Sequence, residues 1–145
     1  MVGGVAVPAG NELGKDELIR TAAFRTELRR FLRRTDAVAA EAGLTAQRYD
    51  LLLMLKSAGA GREGVRVTEL CDLLQLQQTA VTELVKRAEE AGLLARRSSP
   101  DDRRVSLLVV TPEGERRLLK AFGALRGDRE LLAASLRELD RRLSA

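Results

Sequence analysis

Two groups of side chains combine types and spacings that can do chemistry, and in both the chemistry is recognition rather than bond making. The first is Gln78, Thr79, Thr82 and Lys86. If the stretch around them is helical, they share a face opposite Val81, Leu84, Val85 and Ala88, which repeat at i, i+3, i+4 and i+7. A Gln amide can make paired hydrogen bonds to an adenine edge, a Thr methyl can touch a thymine methyl, and a Lys one turn further can meet a phosphate. The second group is Arg96, Arg97, Arg103 and Arg104, which flank Ser99-Pro100-Asp101-Asp102. Arginines at a protruding turn suit a narrow minor groove, where negative potential is concentrated. Each group also has a plain reading, a solvated helix face and a solvated turn. It is their succession along the chain that favours recognition.

Bond-making chemistry has little to work with. His is absent and Cys71 is the only cysteine, so the commonest general base is missing and no intrachain disulfide can form. The adjacent acids Glu89-Glu90 and Asp101-Asp102 fall on a helix end and a turn, where carboxylates are ordinarily solvated. No catalytic residue, metal site or cofactor is expected, and the reading is of a protein that is not an enzyme. Cys71 lies between Leu70 and Leu73, an apolar setting in which a thiol is expected to be an inert core residue.

The elements that must position these groups can be read from periodicity and punctuation. From about Asp16 to Ala42 the residues Leu28, Phe31, Leu32, Thr35, Val38 and Ala39 mark one face of a long helix, and Gly43 ends it. Thr45 is the N-cap of a second helix, with Leu44 placed to pack on Tyr49, ending in Ser57-Ala58-Gly59-Ala60-Gly61. Val65 to Val67 reads as a small strand, and Thr68 as the N-cap of a short helix, Glu69 to Leu74, with Leu70, Leu73 and Leu74 inward. A turn at Gln75–Gln77 leads into a helix from Gln78 to Ala91, stopped by Gly92. The period then changes to two, predicting strands over Leu93–Ser98 and Val105–Val110 with a charged tip between them. Thr111-Pro112-Glu113 restarts a helix with an N-cap, a proline at the first position and an acid in the first turn. It carries Leu118, Leu119, Phe122 and Leu125 to a break at Gly127. The last helix, Asp128 to Leu143, spaces Leu132, Leu136, Leu139 and Leu143 as a seam for a partner helix.

Short helix, turn, helix and hairpin in that order make a winged helix-turn-helix, whose second helix enters the major groove. The expected class is therefore mainly α with a small β-hairpin wing, flanked by N- and C-terminal dimerisation helices. Net charge contributes little to this reading. The chain carries +4 overall, yet between Arg62 and Arg104 eight basic residues meet eight acidic ones. The excess lies in the flanking helices, so direction must carry any contact with nucleic acid.

The segment Gly92-Leu93 with Arg96, then Asp102 and Arg104, then Val110-Thr111 and Gly114, resembles the wing signature of MarR-type regulators, with Val110 where Leu is usual. Leu44-Thr45-Ala46-Gln47-Arg48-Tyr49 and Thr79-Ala80-Val81-Thr82 resemble the same family at matching places. The resemblance runs from about Asp16 to the C-terminus. It implies that Gln78, Thr79 and Thr82 face bases and that Arg104, oriented by Asp102, enters the minor groove beside Arg97 and Arg103. It implies a homodimer interlocked by the first and last helices, through Leu28, Phe31, Leu32, Leu132, Leu136, Leu139 and Leu143. Such a dimer would bind double-stranded DNA at a near-palindromic operator as a repressor, released by a small lipophilic or phenolic effector.

The domain plan expected from all this is a flexible tail at 1–15 and one winged-helix regulator domain at 16–145. Within it the DNA-binding lobe covers about 45–111, and the dimerisation helices cover about 16–42 and 112–143. Residues 1–10 lack the charged start and long apolar run of a signal peptide, and no stretch approaches the roughly 20 apolar residues of a membrane span. A cytoplasmic location without membrane contact is expected. The alternative is a winged-helix module used only for protein contacts, which would show no salt-dependent DNA binding.

Overall fold

The computed structural model describes residues 14–144, so most of the tail expected at 1–15 lies outside the described residues. Six helices and one hairpin follow in the order α1 (Lys15–Glu41), α2 (Ala46–Ala58), α3 (Val67–Leu74), α4 (Gln78–Glu90), β1 (Leu94–Ser98), β2 (Ser106–Val110), α5 (Pro112–Leu125) and α6 (Asp128–Ser144). The chain divides into two compact units.

The larger unit, Leu32–Asp128, holds the winged lobe. Its core is built from α2 (Leu51, Leu52, Leu55), α3 (Leu70), α4 (Val81, Val85, Ala88), Leu93 just before the hairpin, the hairpin itself (Leu94, Leu108) and α5 (Leu118, Ala121). These are the apolar faces that the helical and alternating periods pick out. Pro112–Leu125 belongs to this unit because Leu118 and Ala121 are buried in the same core as α2. That division differs from the expected one, which grouped this helix with the dimerisation elements. Its outer face shows Leu119 and Phe122 to solvent.

Two N-caps are where the sequence puts them. The Thr45 hydroxyl accepts from the backbone N–H of Arg48 at 3.1 Å, and the Thr111 hydroxyl accepts from that of Gly114, also at 3.1 Å. Each removes one of the unpaired donors that a helix start leaves behind. The third expectation fails. Thr68 is inside α3, which starts one residue earlier at Val67, because the Glu69 carboxylate reaches back to accept from the N–H of Arg66 at 2.9 Å. Leu73 fails as well: it is 44% exposed, since an eight-residue helix buries a single stripe, occupied by Leu70 with Cys71 and Leu74 packed against the core.

The smaller unit comprises the described residues up to Phe31 and those from Arg129 onward. Arg20 donates from Nη2 and Nε to the carbonyl of Leu143, at 2.7 and 3.2 Å, satisfying an acceptor in the last turn of α6. No residue of α6 is buried; Leu132, Leu136, Leu139 and Leu143 are half-buried and Leu131 is exposed. Among the described residues, no helix is long and apolar enough to cross a membrane.

Candidate nucleic-acid interface

The sequence of α4 makes its first turn chemically open. Its N-cap is Gln77, in extended conformation, and no side chain caps the N-terminal N–H groups. Those donors and the helix dipole together favour an anion at this end. Gln78, Thr79 and Thr82 stand exposed beside it, with Lys86 exposed one turn further. The helix is held from behind by Val81, Val85 and Ala88, each fully buried, so the polar face has a fixed bearing. The turn that aims α4 runs through Gln75, the one described non-glycine residue with positive φ (54°). Its N–H and that of Leu76 both return to the carbonyl of Cys71.

The hairpin pairs antiparallel from Leu94↔Val110 to Ser98↔Ser106, and Val65 adds an isolated bridge to Leu108. Val65 alone of the expected small strand joins the sheet, since α3 begins at Val67. At the tip, Ser99 donates to the carbonyl of Val105 at 2.9 Å and Val105 to that of Asp102 at 3.0 Å. The Asp102 carboxylate accepts from the backbone N–H of Arg104 at 3.0 Å and from its Nε at 3.3 Å. Asp102 thus holds both the Arg104 backbone and the Nε edge of its guanidinium, while the side chain as a whole is 92% exposed.

The base of the wing explains the glycine and threonine of the signature. The Thr111 hydroxyl donates to the carbonyl of Gly92 at 2.6 Å, and the Thr111 N–H donates to that of Leu93 at 3.1 Å. Gly114 then packs so closely that a Cβ there would sit 2.0 Å from the Leu93 oxygen. Gly92, at φ +76°, turns the chain from α4 into β1. The residues Gly92, Leu93, Thr111 and Gly114 are thus a single clasp joining α4, both strands and α5.

Electrostatics around the head are locally balanced. Arg96 pairs with Glu89 at 2.8 Å, Arg97 with Glu63 at 3.4 Å, Arg87 with Glu83 at 3.1 Å and Arg62 with Glu69 at 2.9 Å. Lys86 and Arg103 have no ion pair among the described residues. The Glu69 carboxyl is held below its ordinary value, chiefly by the Arg66 N–H and then by Arg62. Glu113 is lowered to about 2 by hydrogen bonds from Arg116 and Arg117 in the first turn of α5. The pair of Arg97 with Glu63 has no signal in the sequence, because surface partners 34 residues apart leave no periodic trace. Among the described residues, no group of three or more His, Cys, Asp or Glu is placed to hold a metal ion.

The expected site residues therefore form two sets on the larger unit, Gln78, Thr79, Thr82 and Lys86 on α4 and Arg97, Arg103 and Arg104 with Asp102 on the wing. Among the residues expected at a dimer interface, Leu28 and Phe31 are half-buried and Leu32 is exposed.

Comparison with known proteins agrees with this geometry. Residues 42–105 match the model of the MarR family. The HTH-type transcriptional repressor MdtR of Bacillus subtilis is 31% identical over 94 residues, covering 65% of this chain and 56% of its own. The chain spans about half the length of the curated relatives it matches. Among solved structures, the transcriptional repressor CouR bound to a 23-mer DNA duplex superposes with a TM-score of 0.69 at 26% identity, covering 90% of this chain and 91% of that one. CouR from Rhodococcus jostii RHA1 bound to p-coumaroyl-CoA gives a TM-score of 0.63 at 23% identity, over 90% and 81%. A MarR variant from E. coli complexed with operator DNA gives a TM-score of 0.69 at 18% identity, over 92% and 96%.

Proposed function

We propose, on the premise that this chain belongs to the MarR family, that it is a sequence-specific double-stranded DNA-binding transcriptional regulator. The observation that carries this is the open first turn of α4, with Gln78, Thr79 and Thr82 exposed beside it on a helix whose back is fully buried. A rigid helix with uncapped N–H groups seats on a phosphate and brings short hydrogen-bonding side chains to base edges. The wing adds Arg104, which leaves the hairpin in a direction set by Asp102 and reaches solvent along nearly its whole length, with Arg97 and Arg103 alongside. That suits insertion into a minor groove next to the major groove that α4 occupies.

The working form is a homodimer, because one protomer offers only one reading helix and leaves apolar surface unfilled. The half-buried leucines of α6, with Leu28, Phe31 and Leu32 of α1, supply that surface. A two-fold dimer reads a near-palindrome whose half-sites are about one helical turn apart. The output is repression, and a small lipophilic or phenolic effector releases the operator. Two relatives support these readings: MdtR is a transcriptional repressor, and CouR has been solved both with a DNA duplex and with p-coumaroyl-CoA. The site of action is the cytoplasm.

Replacing Arg104 tests the assignment of the wing. Arg104→Ala removes the extended guanidinium while leaving α1 and α6 untouched, so specific binding should fall by about 1–3 kcal/mol with the oligomeric state unchanged. Operator affinity equal to that of the unaltered protein, at the same salt concentration, would refute it.

A further inference from the structure

Four arginines, Arg96, Arg97, Arg103 and Arg104, line one recess of about 170 Å³ on the wing, together with Ser98, Val105 and Ser106. The concavity suits a phosphate group, and its cationic lining matches backbone contact in nucleic-acid recognition. Two of the four are occupied from outside the wing. Arg96 gives its Nε to Glu89, in the last turn of α4, and Arg97 gives Nη1 to Glu63, in the loop before α3. Arg104 is bound differently: its partner Asp102 is within the hairpin tip and takes the backbone N–H as well, so that pair orients the side chain rather than withdrawing it. Arg103 carries no ion pair among the described residues.

We propose that Glu63 and Glu89 are specificity-determining residues: by holding Arg97 and Arg96 they limit how many phosphates the wing can neutralise on DNA of any sequence. The inference rests on the DNA-binding reading above. Phosphate contacts supply nearly all non-specific affinity, while base contacts supply discrimination. A head whose charges are balanced eight against eight therefore binds random duplex weakly and leaves recognition to α4 and Arg104. Both pairs are solvent-exposed and each is made through a single nitrogen, so they act as a graded restraint that phosphate competition can loosen.

The test compares the full chain with Glu63→Gln, Glu89→Gln and the double variant, by fluorescence anisotropy on random-sequence duplex over roughly 50–200 mM salt. Glu90→Gln is the control for each single variant, since Glu90 lies exposed on α4 and its replacement changes net charge by the same one unit without freeing an arginine. The double variant should bind random duplex about four- to twentyfold more tightly. Its log–log salt slope should steepen by about one for each arginine released in each protomer. The ratio of operator to random affinity should fall accordingly. Adding Arg96→Gln and Arg97→Gln to the double variant should abolish the gain. Single variants each indistinguishable from Glu90→Gln in slope and affinity overturn the proposal while leaving the DNA-binding reading intact. An unaltered chain with no salt-dependent DNA binding overturns both.

Discussion

Two glycines of α5 offer a paired test in which helix propensity and packing make opposite predictions. Gly114 and Gly123 both lie within a helix, where alanine is favoured over glycine by as much as about 1 kcal/mol. On propensity alone, both Gly→Ala changes stabilise. The surroundings separate them. A Cβ at Gly123 meets nothing within 4 Å, so Gly123→Ala should raise stability by about 0.5–1 kcal/mol. A Cβ at Gly114 would stand 2.0 Å from the Leu93 carbonyl oxygen, 2.9 Å from its carbon and 3.0 Å from Val110 Cγ1. The first two are backbone atoms, which cannot rotate away as a side-chain end could. Relief requires α5 to lift from the base of the wing, straining the Thr111 contacts to Gly92, Leu93 and Gly114. Overpacking of this kind costs about 1–3 kcal/mol, and loss of the N-cap adds about 1 kcal/mol. Gly114→Ala should therefore destabilise by about 1–3 kcal/mol net, after the propensity gain is subtracted. Urea denaturation of the two variants beside the parent protein measures both signs. A Gly114→Ala protein as stable as the parent would refute the clasp that joins α4, the hairpin and α5.

Other outcomes follow from the same geometry. Glu113 should titrate near pH 2 by NMR, well below the ordinary carboxyl value of 4.5. Since the folded-state value is the lowered one, its stabilising contribution is present above pH 4.5 and is lost as pH falls toward 2. Replacing both Arg116 and Arg117 should bring the titration back to the ordinary range; a midpoint still near 2 would point to another cause. Truncation before Asp128 removes every leucine of the α6 seam and should give monomers by sedimentation. A truncated chain that stays dimeric would contradict the role proposed for α6.

The parts of the fold legible in the sequence were those encoded by neighbours along the chain. Thr45 and Thr111 cap their helices because a hydroxyl needs to reach only three residues ahead, and Pro112 at the first position adds a constraint of its own. The hairpin and α4 were legible for the same reason, since their periods of two and 3.6 are local. The start of α3 is not legible in the same way: Thr68 has the form of a cap, while the effective contact is the Glu69 carboxylate on the Arg66 N–H. That alternative uses the same local window and wins because a charged acceptor makes the stronger bond. Three leucines in a short stretch look like one inward face, yet Leu70, Cys71 and Leu74 already fill it and Leu73 is left outside. Of the candidate site, residue types and helix face were readable. The distribution of charge was not, because Glu89 reaches Arg96 only once the hairpin has folded against α4, and Glu63 reaches Arg97 only once the loop before α3 lies beside it. The tight approach of Gly114 to Leu93 was visible only as a signature glycine until the carbonyl in its way could be seen.

The most direct test of the central claim, that α4 and the wing read duplex DNA, is selection of bound sequences from a random double-stranded pool with the full chain at stated salt. The prediction is an enriched near-palindrome with half-sites about one helical turn apart, weakened for Arg104→Ala. A pool that emerges without any enriched sequence, from a protein that binds duplex weakly at every salt concentration, would contradict it.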